Sequence, residues 1–434
     1  MYWQKLFETL PLESMKQLQF EKLCAVLKHS YEHIEYYNRC FKEIGIEPSD
    51  LHSLEDLGRF PFTTKDNLRD NYPYGMLAAP LKDIVRIHSS TGTTGKPTVV
   101  CYTGGDLNVW SDLVARIMCM GGASNADIVQ VAFTYGLFTG GFGLHAGAEK
   151  IGASVIPASS GNTARQLMIM KDFRTTLLIC TPSYALHIAE SMDKEGITKD
   201  DICLKYGLFG SEPWGEKQRE DIEKRLGLIA TDNYGLSEMM GPGISGECLC
   251  KSGMHLNEDH FYPEIIDPDT LKVLPEGSLG ELVLTSLTRE AMPLIRYRTR
   301  DITRLYREKC DCGRTLIKMD KPTGRSDDMF IVNGVNVFPS QIEDALKFFE
   351  DTTPHFLVYL RKKGALDEVE IAIEVSDNLF FDKMKKQKEL LDNIAAKFTS
   401  MLQFKPKVKL VEPRTLQRFE GKARRVIDER GKNA

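Results

Sequence analysis

Residues 89–98 read Ser-Ser-Thr-Gly-Thr-Thr-Gly-Lys-Pro-Thr and follow an apolar run, Ile84–Ile87, that predicts a strand. Glycines let the backbone approach a polyphosphate closely, while hydroxyl and N–H groups donate hydrogen bonds to its oxygens. The stretch is not a Walker A loop, because only two residues separate its glycines and Pro97 stands where that loop has Ser or Thr. We therefore predict a phosphate-binding loop after a strand, the alternative being an ordinary surface loop.

Outward from this loop, short apolar runs alternate with glycine-rich turns and helical patterns as far as about residue 301. The runs at 128–133, 177–180 and 204–209 have the length and composition of buried strands. Buried strands alternating with helices predict an α/β architecture with a largely parallel sheet. The segment Gly280–Tyr306 is richer in strand patterns and predicts a β-rich subdomain.

The chain of 434 residues is too long for one hydrophobic core, so we expect more than one domain. Residues 1–80 predict a helical N-terminal part of the large domain, with an amphipathic helix over Met15–Tyr37. Residues 81–325 predict the α/β core with its β-rich subdomain. Residues 326–434, with strand patterns on both sides of a long charged helix, predict a small C-terminal α+β domain.

Composition excludes several classes of function. Lys and Arg total 56 against 61 Asp and Glu, so the net charge of −5 does not indicate a nucleic-acid-binding protein. No stretch approaches the roughly 20 apolar residues that span a bilayer, and the N-terminus has no secretory pattern. We therefore expect no membrane association and a cytoplasmic protein, whose ten cysteines are reduced thiols or metal ligands.

The spacing of the cysteines predicts a metal site. Cys310 and Cys312 form a short chelating pair before a glycine, and Cys248 and His255 lie about 60 residues earlier. A set of three thiolates and one imidazole can hold a structural, tetrahedral Zn²⁺. Cys250 is an alternative to Cys248, and isolated reduced thiols are the alternative to a metal site.

Five motifs in chain order resemble those of the adenylate-forming superfamily, which includes acyl-CoA synthetases, luciferases and peptide-synthetase adenylation domains. They are the loop at 89–98, Tyr234-Gly235-Leu236-Ser237-Glu238, Tyr297-Arg298-Thr299-Arg300-Asp301, Gly324-Arg325-Ser326-Asp327-Asp328 and Glu420-Gly421-Lys422. The third motif departs from the superfamily's Tyr-Arg-Thr-Gly-Asp pattern, because Arg300 replaces the glycine. The carboxylate of Asp301 is retained, so we keep its assignment.

Within the superfamily the chain is most similar to phenylacetate–CoA ligases. The supporting stretches are residues 134–141, 241–243, 258–261 and 333–339. The resemblance implies an acid:CoA ligase that uses ATP, Mg²⁺ and coenzyme A to form an acyl-adenylate and then a thioester, with an aryl-acetic acid as substrate. It also implies a C-terminal domain that moves as a lid between the two steps, and a homodimer is a possible assembly.

The resemblance also assigns roles to single residues. Lys422 becomes the catalytic lysine, Glu238 the catalytic magnesium ligand, Asp327 the hinge, and Asn333, Gly334 and Val335 the guide for the CoA thiol. ATP or AMP binding falls to Ser90, Thr91, Gly92, Thr93, Thr94, Gly95, Lys96, Gly210, Ser211, Glu212, Pro213, Asp232, Asn233, Tyr234, Gly235, Ser237, Asp301 and Arg325. An ionised Asp301 can accept hydrogen bonds from both ribose hydroxyls, and an ammonium such as that of Lys422 reaches phosphate oxygens as a point charge. For Glu212, a simple strand-to-helix turn is an equal alternative.

The pocket for the acid is predicted directly after the strand at 128–133. Tyr135, Gly140, Gly141 and Phe142 combine aromatic rings with glycines, which suits a flat ring substrate. Ordinary core packing is the alternative reading of the same residues.

Two other functions stay open at this point. One is adenylation of a different aryl acid or transfer to a different acceptor. The other is a nucleotide-binding relative without catalysis, against which Lys422, Glu238 and Asp301 argue, because a binding protein would not need the lysine.

Overall fold

The computed structural model describes residues 1–89, 97–212, 214–326, 330–332, 335–337, 339–346, 348–349, 351–364, 366–375, 384–402, 404–413, 415–416 and 425–430. The described residues up to Ser326 form one unit, and those from Phe330 onward form a second. Each unit has its own core of buried apolar side chains.

The N-terminal part of the first unit is helical, as predicted. It contains α1 (Lys5–Glu8), α2 (Leu12–His33), α3 (Glu35–Glu43) and α4 (Lys65–Asp70), with 3₁₀ turns at Pro48–Asp50, Glu55–Arg59 and Leu81–Asp83. The single helix predicted over Met15–Tyr37 is wrong in one respect, because the extended backbone of Ile34 divides it into two. Leu23, Val26 and Leu27 are buried, as their helical spacing indicated.

A hairpin follows, formed by β1 (Ile84–Ser89) and β2 (Val99–Thr103). The strands are antiparallel, and Ser89 lies opposite Val99. The strand predicted at Ile84–Ile87 is therefore confirmed, whereas residues 90–96 lie outside the described residues.

A parallel sheet forms the centre of the first unit. Its strands are β3 (Ile128–Val131), β4 (Ser154–Ile156), β5 (Leu177–Cys180), β6 (Tyr206–Gly210) and β7 (Ile229–Leu236). They lie in the order β4-β3-β5-β6-β7 and all pair in parallel. The accompanying helices are α5 (Gly104–Met120), α6 (Gly140–Lys150), α7 (Thr163–Asp172), α8 (Pro182–Glu195) and α9 (Glu216–Leu226), with a 3₁₀ turn at Lys199–Asp201.

The sheet continues into the predicted β-rich part. After a 3₁₀ turn at Ser237–Met239 come β8 (Gly241–Glu247), β9 (Met254–Leu256), β10 (Phe261–Ile266), β11 (Leu279–Ser286), β12 (Tyr297–Tyr306), β13 (Lys318–Met319) and β14 (Gly324–Arg325). β8 is antiparallel to β7. The two-residue strand β13 pairs with β12 on one side and with β9 on the other, so it joins the two halves of the sheet.

The second unit combines a hairpin with a four-stranded sheet. Its elements are β15 (Phe330–Val332), β16 (Val335–Val337), α10 (Pro339–Leu346), β17 (Thr352–Lys363), β18 (Leu366–Val375), α11 (Met384–Leu402), β19 (Lys407–Val411) and β20 (Val426–Asp428). The strand order is β19-β18-β17-β20. Ile394 and Phe398 of α11 are fully buried in the core of this unit.

The predicted fold class, a large α/β domain with a β-rich part and a small C-terminal α+β domain, is confirmed. Among the described helices, none is both long enough and apolar enough to cross a membrane.

Candidate active site

The carboxyl ends of β3, β6 and β7 lie at one edge of the sheet, because the three strands are parallel. Ligands of α/β proteins bind outside this edge. The predicted acid-pocket residues come after β3. Gly210 is the last residue of β6, and Glu212 lies just beyond it. Tyr234 lies near the end of β7, and Glu238 comes directly after that strand. The topology therefore brings three separate sequence motifs to one edge.

Tyr234, Asp301 and Arg325 come together at this edge. The Tyr234 hydroxyl donates to Asp301 Oδ2 at 2.6 Å, and Arg325 Nη1 donates to Asp301 Oδ1 at 3.0 Å. Pairing between β12 and β14 places Asp301 opposite Arg325. Burial raises the pKa of Tyr234 well above its ordinary value, so the phenol keeps its proton and acts as a donor. Two donors thus hold the carboxylate that the sequence assigned to the ribose.

Glu238 lies in the 3₁₀ turn directly after β7, and its carboxylate is buried. Lys65 Nζ lies 3.1 Å from Glu238 Oε1. Burial alone would raise the pKa of this carboxyl, but the Lys65 ammonium, a backbone hydrogen bond and the charge of Arg325 together outweigh burial, and the pKa lies below its ordinary value. Arg289 donates to the Glu238 backbone carbonyl. The side chain is therefore a fixed carboxylate anion.

The surroundings of Glu238 offer oxygen atoms of the kind that bind a magnesium ion. Mg²⁺ binds oxygen ligands, commonly one or two carboxylates together with substrate phosphates and water. Glu238 supplies an ionised carboxylate, and the hydroxyls of Ser237 and Thr139 lie 2.8 Å apart next to it. The same hydroxyl contact ties the first turn of α6 to the turn that carries Glu238.

The end of β6 is packed closely against β7. A Cβ at Gly210 would lie 2.5 Å from the Asn233 carbonyl oxygen, so a larger residue does not fit. The Asn233 amide donates to the Phe209 carbonyl at 2.6 Å. Glu212 accepts hydrogen bonds from the hydroxyl and the backbone N–H of Ser183, at 2.9 and 3.2 Å, at the start of α8. The Glu212 carboxylate thus links the end of β6 to the first turn of α8.

Asp232 faces a different environment from Tyr234. It accepts a hydrogen bond from Trp214 Nε1 at 2.7 Å, and Lys321 Nζ lies 3.8 Å away. Burial raises the pKa of Asp232 to about 7. The described contacts of the Asp232 side chain are therefore with Trp214 and Lys321, and not with Asp301.

The predicted acid-pocket residues form an aromatic cluster along α6. The rings of Tyr135 and Phe142 meet edge to face with centroids 5.3 Å apart, and the Phe142 ring also lies 5.6 Å from His88. The Tyr135 hydroxyl lies 3.3 Å from His145 Nδ1. A Cβ at Gly141 would lie 2.8 Å from the Thr134 carbonyl oxygen, so this glycine permits the tight turn after β3.

The predicted zinc ligands are adjacent in the fold. One ligand atom from each of Cys248, His255, Cys310 and Cys312 lies within 4.8 Å of the other three. Cys248 Sγ is 3.7 Å from Cys310 Sγ, and Cys312 Sγ is 3.3 Å from His255 Nε2. Zn–S bonds of about 2.3 Å in a tetrahedron imply S–S distances of about 3.8 Å, so these spacings fit zinc. Cys250 is exposed and does not belong to the group.

The Cys/His group lies where the two halves of the sheet join. Cys248 follows β8, His255 is on β9, and Cys310 and Cys312 lie between β12 and β13. Cys248 donates to Cys312, so the pKa of the Cys312 thiol lies well below its ordinary value, and the same hydrogen bond together with burial raises the pKa of Cys248. The thiols thus do not ionise equally without a cation between them.

Sequence reasoning missed two cations beside Glu238. Lys65 is the first residue of α4, and Arg289 precedes β12 by eight positions. Arg289 is 3% exposed, and no carboxylate in the described part of the chain pairs with it within 4.0 Å. Neither residue stands in a motif, so no local signal could have found them.

Several predicted site residues lie outside the described residues. They are Ser90, Thr91, Gly92, Thr93, Thr94, Gly95, Lys96, Pro213, Asp327, Asn333, Gly334 and Lys422. Val335 is described and begins β16, opposite Val332.

Family models match both parts of the chain. Residues 49–288 match a model described as AMP-binding enzyme, and residues 334–430 match one described as AMP-binding enzyme C-terminal domain. With the strand-end site above, these matches define an AMP-binding, adenylate-forming enzyme.

Curated relatives narrow the class. Phenylacetate–coenzyme A ligase of Pseudomonas putida is 46% identical, with 98% of this chain and 96% of the relative covered. The ligase of the same name from Thermus thermophilus is 45% identical over 99% of each chain, and that of Escherichia coli is 44% identical over 97% and 96%. A solved 2-hydroxyisobutyryl-CoA ligase, in complex with 2-HIB-AMP and CoA, superposes with a TM-score of 0.93 at 30% identity, covering 98% and 92%.

This chain belongs to the phenylacetate–coenzyme A ligase family. It is an AMP-forming carboxylic acid–CoA ligase, which uses ATP to join an acid to coenzyme A through an acyl-adenylate.

Proposed function

We propose that the acid is phenylacetate or a closely related aryl-acetic acid, which the enzyme converts to its CoA thioester with release of AMP and pyrophosphate. The observation that carries this proposal is the nearly full-length identity of 44–46% to four phenylacetate–coenzyme A ligases. The edge-to-face rings of Tyr135 and Phe142 support it, because such a cluster accommodates another aromatic ring. Gly140 and Gly141 complete the proposed pocket.

On the nucleotide side, Asp301 accepts the ribose hydroxyls, Tyr234 lies against the adenine, and Arg325 contacts the ribose or the phosphate. The convergence of these three side chains supports the assignment. An ionised carboxylate retains acceptor capacity on both oxygens after each has accepted one hydrogen bond. The loop 90–96 holds the β- and γ-phosphates. The remaining adenine-pocket residues are Gly210, Ser211, Glu212, Pro213, Asp232, Asn233, Gly235 and Ser237.

Glu238 holds Mg²⁺ with the ATP phosphates. The ion supplies charge neutralisation for two anions that must meet. The low pKa of the carboxyl supports this role, because the ligand is ionised before the ion arrives. The residues of this chain contribute by positioning the acid beside the nucleotide at the sheet edge.

Residues 1–80, 81–325 and 326–434 act as the helical part, the catalytic core and a lid. Asp327 is the hinge, Lys422 assists adenylation, and Asn333, Gly334 and Val335 guide the CoA thiol afterwards. The separation of the described residues into units that end at Ser326 and begin at Phe330 supports the position of the hinge. The lid carries Lys422 to and from the core between the two steps.

Cys248, His255, Cys310 and Cys312 hold one structural Zn²⁺. The tetrahedral spacing of the four ligand atoms supports this proposal. The ion would fasten β8 and β9 to the turn between β12 and β13.

Acid-dependent AMP release, measured with ATP, Mg²⁺ and coenzyme A over a panel of carboxylic acids, tests the substrate. Phenylacetate should give the highest kcat/KM. A larger value for a non-aromatic acid would contradict the aryl pocket while keeping the reaction. Omitting coenzyme A separates the two steps, and Lys422→Ala should abolish AMP formation while ATP still binds.

A further inference from the structure

Lys65 lies in a position that no motif of the sequence indicated. Its ammonium is 3.1 Å from Glu238 Oε1, and the two side chains are 26% and 7% exposed. We propose that Lys65 is a further catalytic residue: when the reactants bind, its ammonium pairs with the anionic oxygens of the acid and of the α-phosphate. This inference rests on the proposed adenylation site around Glu238.

The backbone that carries Lys65 is fixed to the nucleotide side of the site. The Thr63 N–H donates to the Arg296 carbonyl at 3.1 Å, and the Arg298 N–H donates to the Thr63 carbonyl at 2.9 Å. The Thr63 hydroxyl donates to the Ile295 carbonyl at 2.7 Å. Thr63, two residues before Lys65, is therefore held against the start of β12, the strand that carries Asp301.

The helix start adds a second constraint. Thr64 caps α4, and its backbone N–H donates to the Asn67 side chain at 2.8 Å. Because the backbone is held on both sides, only the flexible side chain of Lys65 needs to move. An ammonium on a four-carbon stem can change partners over several ångströms without backbone movement.

The charges at Glu238 explain why a change of partner is expected. One carboxylate cannot keep both an ammonium and a divalent cation as close partners without repulsion between the cations. If Mg²⁺ were held by Glu238, the Lys65 ammonium would pair instead with the anionic oxygens of the acid and of the α-phosphate, which the proposed site brings beside it. Arg289 stays in place, because it donates to two backbone carbonyls and stacks on the Tyr102 ring.

The reaction requires such a cation. A carboxylate oxygen of the acid forms a bond to the α-phosphorus, and the bond from that phosphorus to the pyrophosphate oxygen breaks, its electron pair leaving with pyrophosphate. No proton is taken up or released by this exchange. Negative charge gathers on the phosphate oxygens in the transition state, where a positioned cation lowers the barrier.

The competing explanation is that Lys65 only neutralises buried Glu238 in the absence of ligands. Magnesium separates the two explanations, because the ion would replace a merely neutralising lysine. Under that explanation, Lys65→Met would recover wild-type kcat at saturating Mg²⁺. Under ours, the loss persists, because the cation acts on the reactants.

The experiment compares wild type, Lys65→Met, Lys65→Arg and Lys150→Met. Lys150 is a matched control, since it is 31% exposed and pairs with Asp112 at 3.6 Å. At saturating Mg²⁺ we expect Lys65→Met to lower kcat for AMP formation about 100-fold, Lys65→Arg by about tenfold, and Lys150→Met by less than about twofold. Full recovery of Lys65→Met on raising Mg²⁺ would overturn the proposal.

A binding measurement provides a readout without turnover. Calorimetry with a phenylacetyl sulfamoyl adenosine, an analogue of the adenylate, and with adenosine should show that Lys65→Met weakens only the analogue, by about tenfold. Equal weakening of both, or of neither, would contradict the role. If wild type releases no AMP with any acid, the proposed function fails, while this binding comparison still decides Lys65. Should Lys65→Met not fold, Lys65→Arg must show the same selective loss.

Discussion

Asp232 and Glu238 are two buried carboxyl groups at the same end of the sheet, and they ionise differently. Each residue is 6% exposed. Burial raises the pKa of Asp232 to about 7, whereas that of Glu238 lies below its ordinary value. The nearest lysine ammonium is 3.8 Å from Asp232 and 3.1 Å from Glu238. Equal burial therefore gives opposite shifts.

The difference shows that a neighbouring cation, rather than depth alone, sets the charge of these groups. Asp232 also lies near the carboxylate of Glu247, which raises its pKa further. Glu238 has Lys65 at its carboxylate and Arg325 nearby, and both lower its pKa. A carboxyl group must be deprotonated to bind a metal ion, and at neutral pH Glu238 is already ionised, whereas Asp232 would still have to lose part of its protons.

Among the buried carboxyl groups, the largest effect is expected from Glu238→Gln. The change removes the charge and keeps the shape, so we expect kcat for AMP formation to fall by about 10²–10³-fold, or about 3–4 kcal/mol. Steady-state kinetics over a Mg²⁺ series measures this. Glu264→Gln is the control, because Glu264 is also buried but pairs with Arg296 at 2.9 Å. A loss no greater than that of the control would remove Glu238 from the site.

At the Cys/His group, the proposed zinc ion would compensate the charge of the buried thiolates, as Lys65 does for Glu238. Cys312→Ser should therefore release the zinc and cost a few kcal/mol of unfolding free energy, seen as a Tm lower by several degrees. Metal analysis after dialysis and thermal unfolding measure both. Cys250→Ser should keep the metal, since Cys250 lies outside the group. Zinc-free wild type would show that the thiols are simply reduced, and zinc retained by Cys312→Ser would remove Cys312 from the ligand set.

Asp232→Asn tests the poorly compensated carboxyl. Its folded pKa of about 7 lies above the ordinary value of 3.8, so its stabilising contribution is complete below pH 4 and is lost as the pH rises through 7. From pH 5 to pH 8 the unfolding free energy of the variant should therefore rise by about 3 kcal/mol relative to that of wild type. Urea unfolding at several pH values measures the difference. Parallel pH profiles would mean that Asp232 is ionised throughout.

The smallest effect is expected at a third buried carboxylate, Glu281, which has two arginine partners. Arg298 Nη2 lies 2.8 Å from it, but Arg300 Nη1 is 3.6 Å away. Arg300 has a φ of +68°, a left-handed conformation that favours glycine. Arg300→Gly should thus raise the unfolding free energy by up to about 1 kcal/mol. A lower Tm than wild type would mean that the second pairing outweighs the backbone strain.

The positive φ of Arg300 shows what the departure from the Tyr-Arg-Thr-Gly-Asp pattern costs this chain. Where the superfamily's pattern has a glycine, the backbone of this chain is left-handed, yet the residue is an arginine near Glu281. From the sequence, Arg300 was only an added bulk beside the ribose site. The conformation that makes it costly depends on how β12 bends between β11 and β14.

Much of the fold and part of the candidate site could be predicted because their signals are local. Apolar runs of strand length predicted β3, β5, β6 and β11, and motif order predicted that Tyr234 and Asp301 belong together. Cysteine spacing predicted that Cys248, His255, Cys310 and Cys312 lie together as potential metal ligands. The helix over Met15–Tyr37 was predicted as one element, because its periodicity continues past the extended Ile34.

The sequence by itself determined the family, the alternation of strands and helices, and the residue types that the chemistry needs. Only the tertiary structure decided which charges meet. Lys65 is 173 positions from Glu238 and reaches it because Thr63 pairs beside Tyr297. Glu212 and Asp232 stand among motif residues, yet their carboxylates bond to Ser183 and Trp214. Periodicity and spacing are properties of short segments, whereas ionisation and pairing depend on distances between segments far apart in the chain.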